Sequence, residues 1–168
     1  MFGIELSLKS VDFARNNFQL LTVIPGSADE IDSKFEDSSF DVITAFDVVE
    51  HLANPQEVLA KIRRKLKPDG LLVISVPLID SFAARWFGKR WHALVPSHLN
   101  YFSRKSLKNF YESLGYGFDY ERFYTRYLSL ENILRRLLKR SGFSIPKFLN
   151  ISVPVNLFDE AELYLRKI

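Results

Sequence analysis

The sequence feature that most constrains the fold is the stretch from Phe40 to His51, which reads FDVITAFDVVEH. Its first half is a continuous apolar run that contains the β-branched residues Val42, Ile43 and Thr44. Such a run is typical of a strand that is buried on both faces of a parallel sheet. We therefore predict a central strand in the first half of this stretch.

Three titratable residues follow the predicted strand. Asp47, Glu50 and His51 lie at relative positions i, i+3 and i+4, so a helical turn presents them on one face. Open α/β sheets bind their ligands at the carboxyl ends of parallel strands. The sequence therefore predicts a functional site at this end of the strand.

Length and composition favour one ordinary globular domain. The chain has 168 residues, of which 47% are hydrophobic and 26% are charged. It contains no cysteine, which excludes disulfides, thiolate metal sites and cysteine nucleophiles. The formal net charge of +3 is too small to predict nucleic-acid binding. No apolar run approaches the ~20 residues of a membrane-spanning helix and no signal peptide is recognisable, so we expect a cytoplasmic protein.

Strand and helix signals alternate along the rest of the chain. Further strands are predicted at 2–6, 20–24, 71–76, 118–124 and 160–168. Helices are predicted at 7–17, from Asn54-Pro55 onward, at 103–114 and at 126–141. The strand, helix and strand that cover residues 40–76 require a parallel pairing. We expect one domain, 1–168, with a lid-like segment at 78–102 and a helical insertion at 126–150.

The lid-like segment is rich in aromatic residues. Long ordered connections after the carboxyl end of a strand usually act as lids or binding loops. Two interpretations stay open, because the aromatic side chains either line an acceptor pocket or cover the edge of the sheet. The candidates are Trp86, Trp91, His92, His98, Tyr101 and Phe102.

Four motifs together resemble a known family. GIELS, FDVITAFDVVEHLANP, LKPDGLLVISVP and HLNYFSRKSL, in this order, are similar to class I S-adenosylmethionine-dependent methyltransferases of the small-molecule type, which includes the ubiquinone-pathway O-methyltransferases. The resemblance implies an α/β fold with a Rossmann-like, mostly parallel sheet and an antiparallel C-terminal strand. It also implies methyl transfer to a small-molecule or lipid-linked acceptor, through oxygen.

The resemblance further implies a cofactor site at the strand ends. Glu5 matches the acid that accepts hydrogen bonds from both ribose hydroxyls, although a surface acid is the alternative interpretation. The other matching positions are Leu6, Ala28 and Asp29 around the adenine, and Ala45 and Phe46 along the methionine part.

The chain departs from the family pattern at its start. Family members begin with a strand and a glycine-rich loop, whereas this chain begins two residues before Gly3. We therefore expect an N-terminally truncated fold, either from a shortened gene model or in a genuinely reduced protein. The strands that contain Phe2 and Phe40 are then separated by a gap or paired directly, and an open sheet edge favours self-association. We expect weakened cofactor affinity.

Three interpretations of Asp47, Glu50 and His51 stay open. The first is a polar helix start that packs near the acceptor pocket. In the second, His51 is the general base that deprotonates an acceptor hydroxyl. In the third, all three residues bind a divalent metal such as Mg²⁺ together with His98, a set that resembles the metal sites of ubiquinone-pathway enzymes.

Two alternatives concern the function as a whole. The chain is a non-catalytic binding or assembly module that kept the sheet and lost the cofactor, or it binds RNA with a salt-dependent affinity. The basic helix at 126–141 is a packed surface helix or docks on anionic lipid, which allows peripheral membrane contact.

Overall fold

The computed structural model describes residues 1–19, 22–123, 126–129, 152–155 and 159–168. Its strands are β1 (Gly3–Glu5), β2 (Val23–Pro25), β3 (Phe40–Phe46), β4 (Leu66–Pro77), β5 (Tyr116–Phe123), β6 (Arg126–Ser129), β7 (Ser152–Val155) and β8 (Glu160–Lys167). Its helices are α1 (Leu8–Phe18), α2 (Ile31–Lys34), α3 (Pro55–Lys65), α4 (Phe82–Phe87) and α5 (Arg104–Ser113), and short 3₁₀ turns lie at Ala28–Glu30, Val49–His51 and Gly88–Arg90.

Local capping sets the starts of the three longer helices. The side chains of Ser7, Asn54 and Ser103 each accept a backbone N–H from the first turn of α1, α3 and α5. Pro55 occupies the start of α3, where its missing N–H costs no hydrogen bond. These starts agree with the sequence because a cap depends only on neighbouring residues.

The main sheet is organised around β4. In the described part of the chain its strands pair in the order β3-β4-β8-β5. β3 runs parallel to β4, whereas β8 runs antiparallel to both β4 and β5. Residues 72–77 of β4 and the following Leu78 are all buried. Helix α3 packs Val58, Leu59 and Ile62 into the same core. The predicted α/β class, the parallel β3-α3-β4 unit and the antiparallel last strand are confirmed.

The prediction that β3 is a central strand buried on both faces is wrong. Among the described residues β3 pairs with β4 alone, and Val42 and Phe46 are 52% and 50% exposed. β1 and β2 pair parallel to each other in a separate two-stranded ribbon. Of the two arrangements expected for the strands of Phe2 and Phe40, the structure shows the gap. An apolar run indicates that a strand can be buried. It does not indicate whether that strand has a neighbouring strand on each of its two edges.

A register change marks the start of β4. Phe40 pairs with Leu66 but Val42 pairs with Leu71, so residues 67–70 bulge out of the ladder. Gly70 is required there, because a Cβ would lie 2.9 Å from the carbonyl oxygen of Lys67. The turn that Pro68-Asp69-Gly70 predicts is therefore a bulge inside β4.

The predicted helix at 126–141 does not begin at Arg126. Residues 126–129 form β6, which pairs antiparallel with β7. The helix was predicted from the apolar and basic pattern of residues 126–141. Such a local pattern cannot predict a pairing with residues 152–155. Residues 130–141 lie outside the described residues, and the helical insertion stays a prediction there.

Candidate active site

The turn after β3 is fixed by its neighbour β4. Asp47 adopts a left-handed backbone with φ of 51°, and its N–H donates to Ser75 Oγ at 3.0 Å. The Ser75 hydroxyl lies 3.3 Å from Asp47 Oδ1 and donates to it. Because β3 and β4 are parallel, this serine near the end of one strand holds the acid that follows the other.

Glu50 is a buried acid with one unpaired oxygen. It lies in the 3₁₀ turn Val49–His51 and is 1% exposed. Its backbone carbonyl accepts the N–H groups of Leu99 and Asn100 at 2.8 and 3.0 Å, which ties the turn to the lid-like segment. Within the described ranges its Oε2 atom has no hydrogen-bond partner. Burial raises the pKa of the Glu50 carboxyl, and the charge of Asp47 raises it further.

The imidazole of His51 is oriented by the lid-like segment. Its Nδ1 atom lies 2.8 Å from the carbonyl oxygen of Ser97, which can only accept a hydrogen bond. Nδ1 therefore carries the proton, and in the neutral ring Nε2 holds the lone pair. The ring of His98 packs edge-on against it, with centroids 4.6 Å apart.

His98 is the second group whose polar atom is buried without a partner in the described residues, here Nδ1. Burial lowers the pKa of His98, and the neighbouring His51 lowers it further. One donor atom from each of Glu50, His51 and His98 fits within a mutual distance of 4.8 Å. This spacing suits a shared ligand.

These side chains surround one cavity of about 270 Å³, which we call the histidine cavity. It contains all three histidines of the sequence. Its lining residues are Asp47, Glu50, His51, Pro77, His92, Ala93, Val95 and His98. The predicted metal set therefore meets at one cavity, although Asp47 is outside the 4.8 Å cluster.

Sequence reasoning missed the carboxylate behind His92. Asp159 is buried, accepts the indole N–H of Trp91 at 2.9 Å and lies 3.5 Å from Nε2 of His92. It directly precedes β8, whose first residue, Glu160, pairs with Pro77 at the end of β4. The antiparallel pairing of the last strand brings Asp159 and Glu160 to the end of β4, so this pairing was the signal that could have found Asp159.

The predicted acceptor residues separate into three environments. His98 lines the histidine cavity. Trp91 and Tyr101 pack together in a small cluster with Ala83, Ala84 and Ala93, and the Tyr101 hydroxyl donates to the carbonyl of Val95. Trp86 is exposed and lies outside the cavity lining. Contact of Trp86, Trp91 and Tyr101 with an acceptor stays a prediction.

The predicted cofactor residues adjoin a second concavity, which we call the apolar cleft. It has a volume of about 450 Å³ and is lined mainly by residues 1–4 and by β3. Ala28 and Ala45 are among its lining residues. The remaining four positions each follow or lie close to a lining residue in sequence: Glu5, Leu6, Asp29 and Phe46. The Glu5 carboxylate accepts the N–H of Ser7 at 2.8 Å, and Leu6 is exposed.

The comparison with known families decides the class of the protein. The family described as "Methyltransferase domain" matches residues 1–121. The chain belongs to this methyltransferase family. The predicted resemblance to class I S-adenosylmethionine-dependent methyltransferases is thereby confirmed.

Curated relatives share part of this methyltransferase chain. The mitochondrial ubiquinone biosynthesis O-methyltransferase of Schizosaccharomyces pombe is 32% identical over 77 residues, which are 44% of this chain and 28% of that protein. The chain spans about a quarter of the length of the curated relatives it matches.

Solved structures match the fold over nearly the whole chain. A possible histamine N-methyltransferase of Thermotoga maritima has a TM-score of 0.65 at 18% identity, covering 99% of this chain and 72% of that chain. A putative methyltransferase of Bacillus halodurans has a TM-score of 0.65 at 18% identity, covering 98% and 81%. At these identities the likeness concerns the fold alone. Across the described residues, no helix has the length and apolarity to cross a membrane.

Proposed function

We propose that this methyltransferase chain transfers a methyl group from S-adenosylmethionine to a hydroxyl group of a small-molecule or lipid-linked acceptor bound in the histidine cavity. The observation that carries the proposal is one cavity that combines an oriented imidazole with two buried polar atoms, Glu50 Oε2 and His98 Nδ1, that have no hydrogen-bond partner among the described residues. Buried polar groups are normally satisfied, so such atoms indicate a place for a ligand. No observation favours a non-catalytic module.

His51 acts as the general base in this proposal. Its Nε2 lone pair accepts the hydroxyl proton of the acceptor, while the Ser97 carbonyl holds Nδ1–H and stabilises the resulting imidazolium. S-adenosylmethionine, when bound, supplies an electrophilic methyl group whose bond to sulfur breaks as the acceptor oxygen bonds to the methyl carbon. The protein's main contribution is to align the acceptor with that methyl group.

The apolar cleft is the proposed cofactor site. Its volume lies within the range of about 300–1,000 Å³ that small-ligand pockets occupy. Glu5 has a second carboxylate oxygen beyond the one that binds Ser7, which suits a ribose hydroxyl, and exposed Leu6 offers an apolar surface for an adenine ring. Ala28, Asp29, Ala45 and Phe46 complete the proposed set.

A divalent cation such as Mg²⁺ is the alternative to the free His51 base, because Nδ1 of His51 is bound to Ser97 and Nε2 can accept a proton or bind a metal, but not both. Glu50, His51 and His98 offer an oxygen and two imidazole nitrogens at a fitting mutual spacing, and Asp47 adds a carboxylate at the same cavity. The Glu50 Oε2 and His98 Nδ1 atoms, which have no partner in the described part of the chain, support this fit. A bound cation would lower the pKa of an acceptor hydroxyl that it contacts.

A methyl-transfer assay tests the general base. The chain is incubated with methyl-labelled S-adenosylmethionine and a panel of phenols, catechols and primary amines, and labelled product is measured. His51→Gln is expected to lower kcat by about 10²–10⁴-fold while cofactor binding, measured by calorimetry, is retained. Lys105→Gln, an exposed change on α5, is the matched control. Transfer by His51→Gln at the wild-type rate, or transfer to amines but not to hydroxyls, would contradict the proposal.

Calorimetry tests the cofactor and metal sites separately. Glu5→Gln should weaken S-adenosylmethionine binding, whereas Glu112→Gln, a change of an exposed acid on α5, should not. Mg²⁺ or Mn²⁺ should bind the wild type and fail to bind Glu50→Gln. Absence of metal heat with the wild type removes the cation from the proposal and leaves the base intact.

A further inference from the structure

The short helix α4 has its small residues inside and its large residues outside. Ala83 and Ala84 are buried, whereas Phe82 and Trp86 are 72% and 74% exposed. The two exposed rings stack on each other with centroids 5.8 Å apart and an interplanar angle of 24°. A surface helix of a monomeric protein normally places its large apolar residues inward, so this reversal marks an interaction surface.

Basic side chains surround these aromatic rings. Arg85 lies on the same helical face as Phe82 and Trp86, and Lys89 and Arg90 follow in the next turn; all three are exposed. In the part of the chain that the structure describes, none of these three forms an ion pair. Between Asp80 and Glu112 the sequence has six Lys or Arg residues and no Asp or Glu. The excess of positive charge is therefore concentrated in this segment.

We propose that this surface docks on an anionic lipid bilayer. We call it the aromatic–basic patch, formed by Phe82, Arg85, Trp86, Phe87, Lys89 and Arg90. Trp and Phe side chains favour the level of the lipid headgroups, where an apolar ring and a polar neighbour are both accommodated. Each Lys or Arg near an anionic surface adds attraction of about 1 kcal/mol, which salt screens. The lack of acids in the segment gives the charge complementarity that a bilayer of this kind requires.

The aromatic–basic patch is continuous with the wall of the histidine cavity. Gly88, at φ of 51° and with open space around it, joins α4 to the turn that ends at buried Trp91. His92 and Ala93 follow immediately and line the cavity. Docking of the patch therefore brings the cavity wall to the membrane surface, as an acceptor with a lipid tail requires. This last consequence rests on the proposed function, whereas the docking itself does not.

Vesicle binding of the full chain tests the inference. Phosphatidylglycerol–phosphatidylcholine vesicles should co-sediment the protein, pure phosphatidylcholine vesicles should bind it at least tenfold more weakly, and raised salt should release it. Trp86 is the exposed one of the two tryptophans in the sequence, so binding should shift the fluorescence to shorter wavelength. Trp86→Phe should lose most of this shift and keep most of the binding.

Variants of the patch and a matched pair of aromatic residues separate specific docking from general stickiness. Phe82→Ser/Trp86→Ser and Arg85→Glu/Lys89→Glu should each weaken binding at least tenfold. Phe13→Ser/Phe18→Ser is the control, because these rings on α1 are also exposed and in contact, with centroids 5.7 Å apart, but lie outside the acid-free segment. The control should bind as the wild type.

Three outcomes would overturn the inference. They are equal binding to neutral and anionic vesicles, wild-type binding by the charge-reversed variant, and dimerisation in solution that the Phe82→Ser/Trp86→Ser variant abolishes in the absence of lipid. Methyl-transfer activity on soluble acceptors is measured in parallel. Arg85→Glu/Lys89→Glu should lose vesicle binding and keep full activity on soluble acceptors, so a failure of docking is distinguished from a failure of the proposed function.

Discussion

The histidine cavity and the apolar cleft differ in the strands that form their walls. The cavity lies at the ends of β3 and β4, next to the first residues of β8. Buried Ser75 of β4 holds Asp47 there, and the backbone carbonyl of Ser97 orients the His51 ring. The cleft lies between β3 and a ribbon of two three-residue strands that is not hydrogen-bonded to the main sheet in the described residues. The comparison teaches that the histidine cavity is shaped by the hydrogen-bonded main sheet, whereas the β1–β2 side of the cleft has no hydrogen bond to that sheet among the described strands.

The largest expected difference between the two regions is in stability. Ile74 is fully buried in β4, whose last residue lines the cavity, whereas Ile4 is half-buried in the ribbon that lines the cleft. Ile74→Ala should lower the free energy of unfolding by about 2–5 kcal/mol, and Ile4→Ala by less than about 1 kcal/mol. Denaturant unfolding measures both values. Equal losses would mean that the ribbon and the main sheet unfold as one equally packed unit.

A buried carboxylate supports the cavity from behind. Asp159→Ala removes the acceptor of the Trp91 indole N–H and the neighbour of His92. The expected loss is about 1–3 kcal/mol, because a buried donor is left unpaired. Denaturant unfolding in a Trp86→Phe background, monitored by Trp91 fluorescence, measures it. An unchanged midpoint and emission would show that water replaces the carboxylate at no loss.

The cavity acid should reduce stability at neutral pH. Burial raises the folded-state pKa of Glu50 above its unfolded value, so its contribution to stability is present below the ordinary value of 4.5 and is lost as pH rises through the folded pKa. Glu50→Gln should therefore be more stable than the wild type by about 1 kcal/mol at neutral pH and equally stable at acid pH. Urea unfolding across this pH range, with a chelator present, measures the difference. A constant difference at every pH would contradict the burial argument.

The smallest effect is expected at the open side of β3. Val42 is half-exposed beside the cleft, so Val42→Lys should change the free energy of unfolding by less than about 0.5 kcal/mol. It should also reduce any concentration-dependent self-association, because charges on an exposed edge oppose strand pairing. Light scattering over a range of concentrations measures this. A large loss of stability would instead indicate that β3 is packed on both sides.

Local features of the sequence predicted the order and the starts of several helices and strands. The helix starts at Ser7, Asn54 and Ser103 and the strand–helix–strand order were predicted, because each depends on neighbours in the chain. The position of β3 at an edge was not, because pairing is decided by distant strands. The same limit applies to Trp86 and Trp91: both are aromatic residues of one basic segment, yet one is exposed and the other buried.

By itself the sequence determined the α/β class, the methyltransferase family and the polar cluster of Asp47, Glu50 and His51 after β3. The sequence also predicted His98 as a partner of this cluster. The tertiary structure decided that His92 lines the same cavity and that Asp159, which directly precedes β8, lies 3.5 Å from Nε2 of His92. It also decided that the large side chains of α4 face outward. Both outcomes depend on contacts between residues far apart in the chain, which local periodicity does not encode.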